Sequence, residues 1–161
     1  MTLEIAPAVP DDAEIILAFI RELAAWEKLE HEVVATARDI RRTIFEEKHA
    51  SVLLAREDGV PAGFAVFVRN YSTFLARPGI HLEDLYVRPD FRGRGIGRAL
   101  LGEIARIAWE AKFGRVEWFV IEGNATAIAF YEKIGARPID AWTVWRITGD
   151  ALEKLARERE L

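Results

Sequence analysis

The sequence contains no cysteine, and this absence excludes several kinds of chemistry at once. Disulfide bridges, thiolate metal sites and covalent catalysis through a cysteine all require a thiol. The chain has only three histidines, and they are scattered without the spacing of metal ligands, so no metal site is predicted. Any catalysis by this chain must therefore proceed without a cysteine-bound intermediate.

The sequence also lacks long apolar runs and an excess of positive charge. No apolar segment approaches the roughly 20 residues that a membrane-spanning helix needs. The opening MTLEIAPAVPDDAE has neither the basic nor the apolar region of a signal peptide. The net charge is −4, whereas nucleic-acid binding needs a concentrated basic face. We therefore expect a cytoplasmic protein without membrane or nucleic-acid partners.

The chain does have the composition of a globular domain. It has 161 residues, of which 51% are hydrophobic and 30% are charged. This length is typical of one domain with a substantial core. Because the sequence contains no repeats and no low-complexity linker, residues 1–161 are predicted to form a single domain.

Hydrophobic periodicity predicts a mixed α/β architecture. Apolar alternation predicts a strand within Thr2–Val9, and helical spacing predicts a helix from about Asp12 to Trp26. The later predicted elements are a helix at Ala37–Glu47, strands at Ala50–Arg56 and Ala62–Asn70, a loop at Asn70–Gly79, a strand at His81–Val87, a helix at Gly95–Lys112, a strand at Arg115–Ile121, a helix at Ala125–Ile134, a strand at Ala141–Ile147 and a helix at Asp150–Glu160. Antiparallel strands followed by alternating strands and helices predict a mixed, mainly antiparallel sheet flanked by helices.

A glycine-rich turn, RGRGIG at Arg92–Gly97, connects a predicted strand to a predicted helix. Glycine allows backbone amides to approach an anion closely. The first amides of the following helix have no intrahelical acceptor and lie at the positive end of its dipole. Arg92, Arg94 and Arg98 add positive charge. The turn therefore predicts a phosphate or pyrophosphate site, with a tight turn bearing solvated arginines as the alternative.

Two common phosphate motifs do not fit this turn. A P-loop requires a Gly-Lys-Ser/Thr triplet, which is absent, and the dinucleotide fingerprint requires glycine where Arg98 stands. The pattern that does fit is Arg-x-x-Gly-x-Gly, formed by Arg92, Gly95 and Gly97. It resembles the acetyl-CoA pyrophosphate motif of the GCN5-related N-acetyltransferase (GNAT) superfamily.

A second segment, EGNATAIAFYEKIGARP at Glu122–Pro138, strengthens this resemblance. In the superfamily a comparable segment supports the CoA arm and carries a tyrosine beside the thioester. The matching positions are Asn124, Ala127, Phe130, Tyr131, Gly135 and Ala136. A phenol with a pKa near 10 can protonate the departing thiolate. The alternative for Tyr131 is a core tyrosine whose ring packs.

Three further stretches resemble the diamine (spermidine/spermine) N-acetyltransferase group, which includes members that act on thialysine. They are FIRELAAWEKLEHEV, YSTFLARPGIHLEDLYVRPDFRGRGIGRALL and AWTVWRITGDALEKLA. The resemblance covers nearly the whole chain and implies a GNAT-like sheet with a splayed central strand pair, and a homodimer. It implies an enzyme that moves acetyl from acetyl-CoA to a primary amine by direct attack in a ternary complex. The alternative is a non-catalytic acyl-CoA-binding sensor or interaction module.

The resemblance also assigns roles to individual residues. The CoA-binding positions are Leu85, Tyr86, Val87, Arg92, Gly93, Arg94, Gly95, Ile96, Gly97, Arg98, Asn124, Ala127 and Tyr131. The amine-binding positions are Trp26, Glu27, Glu83, Asp84, Glu117, Trp118, Phe119 and Asp140. Tyr131 would donate the proton to the thiolate, and Glu83 would accept one from the amine, directly or through water.

Three of the amine-binding positions carry explicit alternatives. Strand alternation predicts that Glu83 and Asp84 face opposite sides of the sheet, so that only one carboxylate projects at the amine, and the resemblance favours Glu83. A solvated or salt-bridged pair of strand side chains is the alternative for both residues, and it competes most strongly for Asp84. Core packing at the end of the first helix is the alternative for Trp26.

Overall fold

The structure is a computed structural model that describes residues 1–158. The chain forms two compact units, one from Met1 to Phe119 and one that begins at Val120. The sheet lies in the first unit. Among the described residues, no helix combines the length and the hydrophobicity that crossing a membrane requires.

The first unit is built on a five-stranded sheet whose strands follow one another in chain order. The strands are β1 (Leu3–Pro7), β2 (Ser51–Glu57), β3 (Val60–Ser72), β4 (Arg77–Val87) and β5 (Val116–Trp118). The first four are antiparallel to their neighbours, and β5 runs parallel to β4. The predicted mixed, mainly antiparallel sheet is confirmed.

Helices cover both faces of this sheet. One face packs against α1 (Ala13–Trp26) and α2 (Ala37–Ile40), which continues as a π-helical turn over Arg41–Glu46. The core on this face contains Ala13, Ile16, Leu17, Phe19, Ile40, Val52, Leu54, Phe64, Val66 and Tyr86. Residues such as Leu53 and Ala65 alternate with these along the strands and are also buried. They face α3 (Ile96–Glu110), which buries one apolar side against the sheet.

The register of β4 shifts at Glu83. Val66 lies opposite Asp84 and Phe67 lies opposite Leu82, so Glu83 is an extra residue that forms a β-bulge. On its other side β4 pairs with β5 only from Ile80 to Leu82. The remainder of β4, Glu83–Val87, runs beyond this pairing. The sheet is therefore splayed next to the bulge, and the fold is that of the predicted class.

The predicted loop at Asn70–Gly79 is wrong. β3 extends to Ser72 and β4 begins at Arg77, and the two strands pair as Asn70 with Gly79 and Tyr71 with Pro78. Gly79 marks a close approach of two chain segments rather than a break, because a Cβ at this position would lie 2.9 Å from the carbonyl oxygen of Arg115. The hairpin therefore projects farther than the sequence predicts.

Between Val120 and residue 158, the second unit contains two helices, α4 (Ala125–Lys133) and α5 (Gly149–Arg157). Both were predicted, although the predicted last two residues of α5, 159 and 160, lie outside the described residues. The predicted strand at Ala141–Ile147 is wrong, because this segment has no regular secondary structure. Its large apolar side chains, Trp142, Val144, Trp145 and Ile147, are exposed. A strand needs the edge of a neighbouring strand to pair with, and an alternating sequence pattern does not by itself provide one.

Candidate active site

The glycine turn leads into α3 through backbone that only glycine adopts readily. Gly93 has φ 75° and Gly95 has φ 82°, both in the left-handed region. The first hydrogen bond of the helix runs from the Ala99 N–H to the Gly95 carbonyl, over 2.9 Å. The N–H groups before Ala99 therefore have no acceptor within the helix. A Cβ at Gly93 or Gly95 would meet nothing within 4 Å, so no other part of the described chain covers the turn at these two positions.

Two of the three arginines in this turn contact the protein itself. The Arg92 Nε donates to the Val87 carbonyl over 2.9 Å. Arg94 donates to the Asp90 carbonyl over 2.8 Å and forms a short ion pair with Glu57, a buried residue at the end of β2. These side chains fix the shape of the turn, while its backbone amides stay available for an anion. No pattern in the sequence around Glu57 indicates this contact.

Arg98 differs from the other two arginines. Its residue is exposed and, within residues 1–158, its side chain forms no ion pair. It is the third residue of α3 and therefore lies in the first turn of that helix. Its charge can therefore pair with an external anion at the helix N-terminus.

The strand before the turn has a backbone edge that no other strand of the described chain pairs with. Leu85, Tyr86 and Val87 pair with β3 on one side. The Tyr86 side chain is buried, with its ring centroid 6.1 Å from that of Phe19. On the other side, β5 pairs no farther than Leu82 in the described chain. An extended ligand could therefore hydrogen-bond along this edge as an added strand does.

Three carboxylates gather around the bulge. Asp84 is largely buried, and this burial, together with the charges of Glu83 and Glu27, raises its pKa from 3.8 to about 6. Burial also raises the pKa of Glu27, which follows the last residue of α1. Within the described chain Asp84 forms no salt bridge, so its predicted alternative as a solvated or salt-bridged residue is wrong. The prediction of strict alternation fails as well, because the bulge interrupts it.

Glu83 is the exposed member of this group, in agreement with its predicted alternative as a solvated or salt-bridged residue. Its side chain is 62% exposed, and its Oε2 lies 3.3 Å from Nε2 of His81, two residues earlier in β4. The His81 side chain is only 17% exposed, and its ring centroid lies 4.8 Å from that of Phe119. Sequence reasoning set the histidines aside because they lack metal-ligand spacing. The two-residue separation of His81 from Glu83 on one strand was the signal it missed.

Trp26 does not belong to the core. Its residue is 51% exposed, and the Arg92 guanidinium carbon lies 5.7 Å from its ring centroid. The alternative of core packing is therefore wrong. The contact connects the end of α1 to the glycine turn, and Trp26 stays a predicted amine-binding residue.

The short strand β5 carries three further predicted amine-binding residues, Glu117, Trp118 and Phe119 at its end. Glu117 lies opposite His81 in the sheet, and its carboxylate pairs with the Arg115 guanidinium over 2.7 Å. Phe119 is 72% exposed. Within the first unit, β5 therefore lies beside the part of β4 that directly precedes Glu83 and Asp84.

The second unit contains the remaining predicted residues. The Asn124 side chain accepts a hydrogen bond from the Ala127 N–H over 3.2 Å and caps α4, a role that sequence reasoning missed. Tyr131 lies on α4, half-buried, and burial raises the pKa of its phenol. Asp140 is exposed in a turn. Across residues 1–158, no group of three or more acidic or histidine side chains is arranged to hold a metal ion.

The raised pKa of Asp84 predicts how its replacement affects stability. The native state holds this proton more tightly than the unfolded chain, so wild-type stability falls as the pH rises from 3.8 to about 6. The total loss is about 3 kcal/mol, since one pKa unit corresponds to about 1.4 kcal/mol. We expect Asp84→Asn, measured by urea unfolding, to gain stability relative to wild type by about this amount more at pH 8 than at pH 4. A difference independent of pH would contradict the burial of an ionisable Asp84.

The comparisons with known proteins agree on one family. Residues 17–136 match the acetyltransferase (GNAT) family. The chain is 37% identical to a thialysine N-epsilon-acetyltransferase of Caenorhabditis elegans, over 96% of this chain and 98% of the relative. It is 31% identical to an L-ornithine N5-acetyltransferase of Arabidopsis thaliana, over 92% and 85%. An integron cassette protein from the mobile metagenome of V. cholerae has a similar structure, with a TM-score of 0.81, 27% identity and coverage of 98% and 99%. The chain belongs to the acetyltransferase (GNAT) family.

Proposed function

We propose that this acetyltransferase transfers the acetyl group of acetyl-CoA to a primary amine of a small cationic molecule, such as a polyamine or a lysine-like amino acid. The observation that carries the proposal is the arrangement of β4. This strand bears carboxylates at its bulge and has an edge without a paired strand after the bulge, and it leads toward an open glycine turn. The named relatives, which act on thialysine and ornithine, support an amine as the acceptor.

The acetyl-CoA site would extend from the glycine turn along β4. The free N–H groups of Ile96, Gly97 and Arg98 would bind the pyrophosphate, together with the exposed Arg98 side chain. The edge of Leu85–Val87 would pair with the pantetheine arm. Asn124 and Ala127 are proposed to contact the same arm. Arg92 and Arg94 contribute by holding the turn in shape.

The acceptor site would be the carboxylate group on β4 and the aromatic residues around it. Glu27, Glu83 and Asp84 attract an ammonium, because opposite charges interact strongly at a partly desolvated site. Trp26, Glu117, Trp118 and Phe119 would line the site, and we keep Asp140 as a proposed member. A pKa of about 6 leaves Asp84 mainly ionised at neutral pH, as attraction of a cation requires.

The reaction would proceed in one step within a ternary complex. The ammonium gives a proton to Glu83, directly or through a water molecule, and becomes a neutral amine. Its nitrogen lone pair attacks the acetyl carbonyl carbon, and the C–N bond forms as the C–S bond breaks. A backbone amide near Tyr86 stabilises the negative charge that develops on the carbonyl oxygen. The leaving thiolate takes a proton from the phenol of Tyr131, whose raised pKa keeps it protonated at neutral pH. The acylated nitrogen loses its second proton as the neutral amide forms, and this proton restores the phenol of Tyr131.

We also propose that residues 1–161 act as a single domain and assemble as a homodimer. The family match over residues 17–136 reaches from the first compact unit into the second, which supports a single domain. The exposed apolar side chains between Trp142 and Ile147 favour an additional protein surface as their partner. Sedimentation equilibrium should give twice the chain mass of 18.2 kDa, and the mass of one chain would contradict the dimer.

The experiment that tests the function is an amine panel with acetyl-CoA, followed by release of free thiol. The panel contains spermidine, thialysine, ornithine and lysine, with a monocationic alkylamine of similar length and an uncharged amide as controls. We expect turnover with the cationic amines and at least a tenfold preference for dications over monocationic amines of similar length. Measurable binding of acetyl-CoA without turnover of any amine would favour the non-catalytic sensor instead.

A further inference from the structure

His81 occupies an unusual position for a polar side chain, because it lies where β4 is paired on both sides. It lies in the middle of β4, where its backbone partners are Val68 on β3 and Glu117 on β5. Its side chain is only 17% exposed, although its neighbour Glu83 is 62% exposed. The protein therefore holds this imidazole largely out of solvent beside a carboxylate that faces solvent.

Two contacts define the orientation of the His81 ring. The ring centroid lies 4.8 Å from the Phe119 ring centroid, with an interplanar angle of 57°, so one side of the imidazole packs on an aromatic ring. Its Nε2 lies 3.3 Å from Glu83 Oε2. Both the imidazolium and the neutral tautomer with hydrogen on Nε2 carry a donor on this nitrogen. The ring packing thus keeps a potential donor within 3.3 Å of the carboxylate.

Among the charged residues near His81, Glu83 is the one that contacts it. Glu117 lies opposite His81 in the sheet, but its carboxylate is paired with Arg115 over 2.7 Å. The β3 partner, Val68, is apolar. Asp84 is adjacent to Glu83, and the Glu83 charge adds to the repulsion that disfavours ionisation of Asp84. An exposed Glu83 without a donor would move freely among its rotamers and away from this like charge.

We propose that His81 is a positioning residue for the acetyl transfer: it holds one oxygen of Glu83 and thereby orients the other toward the acceptor amine. This inference rests on the proposed function, because it gives Glu83 its task there. A hydrogen bond to a charged group is among the stronger side-chain contacts in proteins, so one donor is enough to select an orientation. The residue acts through Glu83 and does not itself contact acetyl-CoA.

The test separates the donor from the ring. His81→Phe keeps an aromatic ring against Phe119 and removes the donor, whereas His81→Gln places an amide N–H close to the original Nε2. We expect His81→Phe to lower kcat/KM for the amine about tenfold and to leave the KM for acetyl-CoA within about twofold. His81→Gln should stay within about threefold of the wild type. Equal losses in both variants, or wild-type rates in His81→Phe, would overturn the proposal.

A matched control comes from another histidine–glutamate pair. His49 Nε2 lies 2.9 Å from Glu47 Oε2, but the His49 side chain is 69% exposed and lies outside the proposed site. His49→Phe should therefore leave all kinetic constants unchanged. Thermal unfolding of each variant distinguishes a kinetic effect from loss of the fold, because the positioning role predicts a kinetic loss without a matching loss of stability.

A second measurement tests the contact without any turnover. The chain has three histidines, so their ring protons can be assigned by NMR from single substitutions. Glu83→Gln should shift the ring signals of His81 and leave those of His31 and His49 in place. Unchanged His81 signals would overturn the positioning role. Absence of turnover in the wild type, by contrast, contradicts the proposed function and is detected before any variant is compared.

Discussion

Tyr131→Phe is expected to lower kcat by about 100-fold or more, while the KM for acetyl-CoA changes by less than about threefold. The substitution removes only the hydroxyl, so the ring keeps its packing against Phe130, whose centroid lies 5.3 Å away. Without the phenol the thiolate must leave without a positioned proton donor. Steady-state kinetics with varied acetyl-CoA and a fixed, saturating amine measure both constants.

The control for Tyr131 is a tyrosine with the same chemistry in a different place. Tyr71 lies near the end of the β3–β4 hairpin and is 62% exposed. Tyr71→Phe should leave kcat and both KM values unchanged. A Tyr131→Phe variant whose kcat and affinity for acetyl-CoA fall equally would indicate a packing residue, and a fully active one would exclude the phenol as the acid.

Local patterns predicted most elements of the fold, because most elements carry their own periodicity. The apolar spacing from Ile15 to Trp26 predicts α1 to its last residue, and the apolar side of α3 is equally regular. The failures occur where structure depends on a distant partner. The segment Ala141–Ile147 alternates as a strand does, yet it has no strand edge to pair with. In the sequence Gly79 indicates a loop. In the structure it lies in a strand, where the absence of a side chain allows the Arg115 backbone to approach closely.

The chemistry of the site was only partly predictable for the same reason. The glycine turn is a local signal, so its left-handed glycines and the start of α3 follow directly from the sequence. The ion pair joins Glu57, at the end of β2, to Arg94 in the glycine turn. The two residues are far apart in the sequence, and no regular residue spacing indicates the contact. The bulge at Glu83 depends on the register with β3, and it brings Asp84 into a buried position that strand alternation did not predict.

Gly95→Asp should raise the KM for acetyl-CoA by about 100-fold or more, the second of the two largest effects we expect. The new carboxylate would stand at the first turn of α3, where the proposed pyrophosphate site lies, and two unit charges about 4 Å apart repel by about 4 kcal/mol in a partly exposed site. The kcat at saturating acetyl-CoA should fall much less, since the residues proposed for proton transfer are unchanged. Binding of CoA, measured by calorimetry, should weaken in parallel with KM.

The hairpin glycine Gly59 provides a matched control for this substitution. Gly59 has φ 81°, almost the same as the 82° of Gly95, and a Cβ at either position meets nothing within 4 Å. Gly59→Asp therefore introduces the same charge and the same left-handed strain, about 1 kcal/mol, away from the proposed site. If KM rises equally in both variants, strain or net charge is the cause and the turn does not bind the pyrophosphate. A rise confined to Gly95→Asp locates the anion at the N-terminus of α3, where the backbone amides and Arg98 are free to bind it.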